Sequence, residues 1–236
     1  MTIKLNGSTA GSVALDAPAQ TTGNADISFK LPVADGSANQ VIKTDGSGNL
    51  AFVAPTATWV HGTETALNGN TVVIENGVPD GASHIRYLLR YVSVSGGSSS
   101  SQPFIQVELN NNGTIKNSNW LGASTTTRDS NYTSASSDRT DGLTLWNGYT
   151  HGGNSLFGVI NIYRIGTNGS DGTNYYVDFQ GYGNSASTGY DATHTGQAYF
   201  ELGTNSTDYV SGLRLSTGSG SVTFDNGYVQ QSYLLS

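Results

Sequence analysis

An all-β fold is what this sequence predicts, and three observations carry it. Asn-Gly or Asp-Gly occurs at twelve places, from Asn6-Gly7 to Asn226-Gly227, and both residues of such a pair tolerate the positive φ of a tight hairpin turn. Between these turns apolar and polar residues alternate over short runs, the period of a strand with one face buried. No window of helical length spaces its apolar residues three and four apart, so helix should be nearly absent.

Composition agrees. The chain of 236 residues has 31 Gly, only 11% charged residues and 36% hydrophobic ones. Disorder would bring high charge and few aromatics, yet 13 Tyr, 7 Phe and 3 Trp are present, many inside β-branched runs. A chain this poor in core-formers is expected to complete its burial on a partner surface. The net charge of −7, with ten scattered Lys and Arg, argues against a nucleic-acid partner. Cysteine is absent, which excludes disulfides, thiolate metal sites and a Cys nucleophile. The start, MTIKLNGSTAGSV, lacks a basic region followed by an apolar run, so no signal peptide is expected. No segment approaches the ~20 apolar residues of a bilayer span.

Taken in order, residues 1–55 form a region of their own. Ile3-Lys4-Leu5, Val13-Ala14-Leu15, Ile27–Leu31, Val41-Ile42 and Leu50-Ala51-Phe52 are short strand candidates. Each offers two or three apolar side chains, and such small sheets are marginal alone. The stretch LPVADGSANQVIKTDGSGNLAF (31–52), with two Asp-Gly-Ser turns ten residues apart, reads as a segment completed by copies of itself around a shared axis. Residues 55–58 then read as a linker, since Pro55 offers no N–H to a ladder.

Residues 56–236 carry longer candidates at 58–63, 71–75, 84–95, 103–109, 143–147, 156–165, 174–180, 197–202, 208–215, 221–225 and 227–235. Ile105, Val107 and Leu109 alternate with Gln106 and Glu108, and Tyr175, Val177 and Phe179 face away from Asp178. That is the pattern of an antiparallel sandwich. The run HIRYLLRYVSV (84–94) puts apolar residues on both faces, as in a strand covered on both sides or meeting another copy. Its Arg86 and Arg90 either pair with a neighbouring chain's carboxylates or lie at an exposed rim. GGSSSS (96–101) has the composition of a flexible loop. Residues 110–142 show almost no periodicity and are left without elements.

Chemical motifs are sparse. There is no GxSxG, HExxH or GxxxxGK[ST] pattern, so no catalytic residue, metal or cofactor is expected. His61, His84, His151 and His194 are isolated and read as surface or turn residues. ELNNNG (108–113) has one carboxylate where a calcium loop needs several, and reads as a hairpin turn. Aromatics in Gly-rich polar loops are the binding candidates. Trp120, Tyr132, Tyr149, Tyr182 and Tyr190 are taken as rings that stack on sugars; the alternative is that they plug the sandwich ends or pack between protomers. Trp146, beside an apolar run, is assigned to packing.

These segments resemble bacteriophage virion fibre proteins. LPVADGSANQVIKTDGSGNLAF is similar to the segment such proteins place ahead of a terminal domain, although Ala38-Asn39 stands where a Gly usually precedes the Gln. IKLNGSTAGSVALDAPA is similar to short modules repeated in phage structural proteins. IENGVPDGASHIRYLLRYVSVSGG, PFIQVELNNNGTI and the closing GLRLSTGSGSVTFDNGYVQQSYLLS resemble a tail-fibre terminal domain, with 118–211 weakly covered. The resemblance implies a homotrimeric, non-enzymatic virion component, which, with no signal peptide expected, would be made in the host cytoplasm. Residues 1–55 would form an intertwined β-stem or attachment to other virion proteins of the tail or capsid. Residues 56–236 would form a jelly-roll-like β-sandwich knob that contacts a host surface saccharide. Capsid decoration or head-fibre protein is the alternative role, with polysaccharide hydrolase or lectin further alternatives.

Overall fold

A computed structural model of the chain describes residues 3–6, 9–15, 18–38, 40–53, 57–95, 103–110, 113–128, 135–145, 154–168, 172–185, 191–202, 207–218 and 220–235. The chain divides into two compact units, Met1–Thr56 and Ala57–Ser236.

In the first unit β1 (Ile3–Asn6) pairs antiparallel with β2 (Ser12–Leu15), Ile3 opposite Leu15. A single 3-10 turn spans Thr22–Asn24. The hairpin of β3 (Val41–Thr44) and β4 (Leu50–Val53) is closed by the sequence TDGSGN. Its Asp45 carboxylate accepts from the backbone of Ser47 (2.7 Å) and Asn49 (3.1 Å) and from the Asn49 side chain (2.6 Å). The Asn49 side chain, followed by these amides, holds the Asp45 carboxyl below its ordinary pKa. Gly48 is required here: its φ is +90°, and a Cβ would lie 2.5 Å from the Ser28 carbonyl oxygen. The strand expected at 27–31 is reduced to one parallel bridge between Lys30 and Asn49. Pro32 has no N–H with which to extend that ladder.

The second unit contains β5 (Thr58–Ala66), β6 (Val72–Glu75), β7 (Ala82–Val94), β8 (Phe104–Leu109), β9 (Thr114–Lys116), β10 (Trp120–Arg128), β11 (Ala135–Arg139), β12 (Leu143–Thr144), β13 (Asn154–Asn168), β14 (Gly172–Ser185), β15 (Asp191–Glu201), β16 (Val210–Ser216) and β17 (Phe224–Leu235). They form two antiparallel sheets. The large one has eight strands in the order β11-β10-β15-β14-β13-β7-β17-β5, the small one β12-β8-β16-β6 with β9 beside β8. The pairing is nested: β5 with β17, β6 with β16, β7 with β13 and β8 with β12.

Both sheets turn one face to a single buried cluster, the arrangement of a β-sandwich. Tyr87, Leu89, Ile160, Ile162, Val177 and Phe200 come from the large sheet, and Ile105, Val107, Leu213 and Leu215 from the small one. Burying each such aliphatic side chain contributes roughly 1.5–3 kcal/mol. Phe200 stacks on Tyr175 at 5.3 Å between centroids and meets Trp120 at 4.5 Å. Across the sheets the Val210 N–H donates to the Tyr175 hydroxyl at 3.3 Å.

Two sequence expectations are corrected. Residues 110–142 are not an unstructured excursion, since β9, β10 and β11 lie within them. β10 is rich in Ser and Thr, and it is held along its whole length by β15 on one side and over Gly122–Thr126 by β11 on the other, so backbone pairing replaces an apolar signal. The second correction concerns β7, which is not covered by apolar neighbours on both faces. Tyr91 takes φ +54°, and the register shifts there against both neighbours. This bulge reverses the alternation, so Ile85, Tyr87 and Leu89 before it and Val92 and Val94 after it all enter the same core. The facing Gly227 has φ +122°, and a Cβ there would lie 2.8 Å from the Val92 Cα. The expected strands at 221–225 and 227–235 accordingly merge into β17 through this irregularity.

Candidate functional site

The face of the large sheet turned away from the core is the most elaborated surface of the second unit. On β7, β13, β14 and β17 the inward phase is mostly apolar, with Gln231 accepting from the Tyr87 hydroxyl at 3.1 Å as a buried polar exception, which leaves the opposite phase free for other chemistry. The registers align these outward residues into rows running across the strands.

One row is aromatic. It runs Trp59, Leu234, His84, Tyr163, Tyr176, Tyr199 and Leu121, over seven strands. Trp59 meets His84 edge-on at 4.8 Å, His84 stacks on Tyr163 at 4.3 Å, and Tyr163 stacks on Tyr176 at 6.1 Å. The Arg86 guanidinium lies 4.7 Å over the Trp59 ring.

The next row is polar: His61, Ser232, Arg86, Asn161, Asp178, Gln197 and Ala123. His61 Nδ1 and Ser232 Oγ are 2.9 Å apart. Asn161 is the hub. Its Oδ1 accepts from His84 Nε2 at 3.1 Å and from Arg86 Nε at 3.3 Å, while its Nδ2 donates to Asp178 Oδ1 at 2.9 Å. A third row follows with Glu64, Gln230, Leu88, Val159, Gln180, Thr195 and Thr125. Beyond it stand Tyr228, Arg90, Tyr91, Phe157 and Tyr182, with Tyr91 edge-on to Phe157 at 4.6 Å.

Burial holds the His84 imidazole below its ordinary pKa, outweighing the Asn161 hydrogen bond, which acts in the opposite direction, and the Arg86 charge adds to the lowering. Burial first, and then the Asp178 carboxylate, raise the Tyr163 and Tyr176 hydroxyls, which stay protonated. Arg90 forms an ion pair with Glu64 of its own chain, and Arg86 and Arg90 are both exposed, as the rim reading expects. Being half-exposed, the pair contributes at most about 1 kcal/mol.

The polar and third rows floor a trough of about 1000 Å³, walled by Tyr163 on one side and Phe157 and Tyr182 on the other. A second hollow of about 490 Å³ continues it over β14, β15 and β10 and shares Asp178 and Gln180 with it.

Of the ring residues singled out from sequence, Tyr182 stands on this face and is 46% exposed. Trp120 is corrected: it is 1% exposed and packs in the core, with its indole N–H donated to the Lys116 carbonyl at 3.0 Å. A buried ring offers no face to a sugar. Tyr132, Tyr149 and Tyr190, with Trp146, His151 and the stretch 96–101, lie outside the described residues. The histidine expectation is corrected as well, since His194 is 2% exposed, 2.9 Å from Thr126 Oγ1, and His84 sits within the aromatic row. The Glu108 carboxylate accepts from the Gly113 N–H at 2.7 Å across the β8–β9 hairpin.

Sequence reasoning missed the rows themselves. Trp59, His84, Tyr163 and Tyr176 sit on four different strands, and only the long-range register brings them together. The available signal was the outward phase of each strand, where aromatics oppose an apolar inward phase.

Among the described residues no group of three or more His, Asp or Glu is placed to hold a metal ion. No helix among them is long and apolar enough to cross a membrane. No family model, no curated protein and no solved structure matches the chain.

Proposed function

We propose that the chain is a non-enzymatic structural subunit of a bacteriophage virion, a homotrimeric tail fibre. Residues 1–55 form the intertwined stem and virion attachment, and the sandwich is a knob that contacts the host surface. The supporting observation is the apolar surface of the first unit. Ile3, Leu5, Ile27, Phe29, Leu31, Val33, Val41 and Ile42 are all exposed, Leu31 by 73% and Val33 fully. No residue of this unit with a described side chain is buried. Exposed apolar residues at this density mark a surface that meets another chain, and three copies wrapped around an axis supply one. The nested strand pairing favours a jelly roll: β5-β17-β7-β13 and β6-β16-β8-β12 follow the order of its two four-stranded sheets. In this reading β14, β15, β10 and β11 widen the first of them.

A second virion role draws on the same observation. In a capsid decoration or head-fibre protein, the apolar surface of residues 3–53 grips the shell. The hydrolase alternative finds no support on the open face. Glu64 and Asp178 stand four strand spacings apart, about 19 Å, whereas a carboxylate pair cleaving a glycosidic bond spans at most ~9.5 Å.

Sedimentation equilibrium of the full chain tests the proposal. The wild type should run at three times the chain mass at micromolar concentration, and the double variant Phe29→Asp/Leu31→Asp at a lower mass. A wild-type monomer with an ordered first unit would overturn it. Gold labelling of purified particles separates tail from capsid.

A further inference from the structure

Building on the reading of the second unit as a host-contacting knob, we infer that the trough on the open face of the large sheet binds a linear, uncharged glycan lying across the strands.

The shape fits a polymer. From β5 to β10 the rows cross six strand spacings, about 29 Å, and the hollows along them share their floor at Asp178 and Gln180. The floor mixes small apolar contacts, Leu88 and Val159, with planar hydrogen-bonding groups, Asn161 and Gln180. A sugar ring presents the same mixture, C–H faces flanked by hydroxyls that both donate and accept. The polar groups are set in advance: Asn161 is fixed by His84, Arg86 and Asp178, so little side-chain ordering is left to oppose binding.

Charge selects the class of glycan. Arg90 is paired with Glu64, and Arg86 is bridged to Asp178 through Asn161. The face has no surplus cation to attract a polyanion, and the chain carries −7 overall. An extended peptide adds to a sheet edge, where backbone groups are free, and not to a face. A second copy of the chain is the other candidate occupant, but the buried centres of such interfaces are depleted in charged residues, and here four charged side chains stand on or beside the floor.

The test is affinity electrophoresis of the full chain in gels containing dextran, a galactomannan, a soluble β-glucan or the acidic polymer polygalacturonate. At least one uncharged polymer should retard the protein and polygalacturonate should not. Gln180→Ala/Tyr182→Ala, both at exposed positions, should weaken retardation at least tenfold. Val159→Arg, which fills the floor, should abolish it, and Ile74→Ser, exposed on the small sheet, should leave it unchanged. The inference is overturned by retardation in none of the uncharged polymers, by retardation in polygalacturonate, or by wild-type binding in the double variant. A fall in sedimenting mass on Val159→Arg would give the face to a second copy and overturn it too. A trimer that binds none of the polymers would sink this inference alone, and a monomer that binds one would sink only the fibre reading.

Discussion

Residues 3–53 and 57–235 both build antiparallel pairs from a sequence rich in Asp-Gly and Asn-Gly steps, and reach opposite outcomes. Among the described residues every buried hydrophobic side chain lies between Leu67 and Val229. The first unit stands on turn chemistry and ladder hydrogen bonds, as at Asp45 and Lys30. The second stands on a shared interior. Two-stranded pairs leave one neighbour's worth of backbone unpaired and cover little apolar surface, whereas two stacked sheets bury both inner faces. The turn-rich sequence therefore says nothing about whether a segment is self-sufficient; the number of strands that share a face does.

Breaking the interior should give the largest effect. Phe200→Ala removes a fully buried ring from the Trp120–Phe200–Tyr175 stack and should cost about 3–5 kcal/mol, read as a lowered urea midpoint by tryptophan fluorescence. Amide exchange at Ser47 and Asn49 should not change. If exchange there rises with the loss of the sandwich, the two units are one cooperative body and the contrast fails.

A smaller effect belongs to His84. Its folded-state pKa is depressed by burial, so the unfolded chain takes up a proton more readily as pH falls through about 6.5. The stability associated with the neutral ring is present above that pH and is lost progressively below it. Urea midpoints at about pH 7.5 and about pH 5.5 should differ for the wild type, and His84→Phe should reduce the difference. An unchanged difference would mean that other groups carry the acid sensitivity of the second unit.

The smallest effect is local. Asp45→Ala removes the acceptor that closes the TDGSGN turn. Amide protection at Ser47 and Asn49 should fall while the urea midpoint of the sandwich stays where it was. A shifted midpoint would tie the first unit's turns to the second unit's stability.

These contrasts bear on what the sequence discloses. The alternation at 103–109 and 174–180 announced strands and their inward faces, because one buried face leaves a period of two. The HIRYLLRYVSV run misled, since the reversal at Tyr91 depends on a partner strand carrying Gly227 far away in sequence. β10 stayed hidden because Ser and Thr in a doubly paired strand need no apolar signature. Trp120 was misplaced for a related reason: its polar neighbours suggested a loop, while its own strand points it inward. Of the candidate site, single members such as Tyr182 were visible. The rows were not, because a row is a property of register between strands far apart in sequence, as His61 and Ser232 are at a separation of 171 residues.

The position of β17 also orders events at the ribosome. Residues 224–235 are synthesised after all the other described strands, yet they lie between β5 and β7, inside the large sheet. Until they emerge, β5 has no partner and one edge of β7 is bare, so the sheet waits as an open slot. Any chain broken upstream of Phe224 keeps that slot, with its unpaired edges open to aggregation and degradation. Pairing at this end of the large sheet therefore depends on residues 224–235, and a chain cut before them cannot form the β5–β17–β7 ladders.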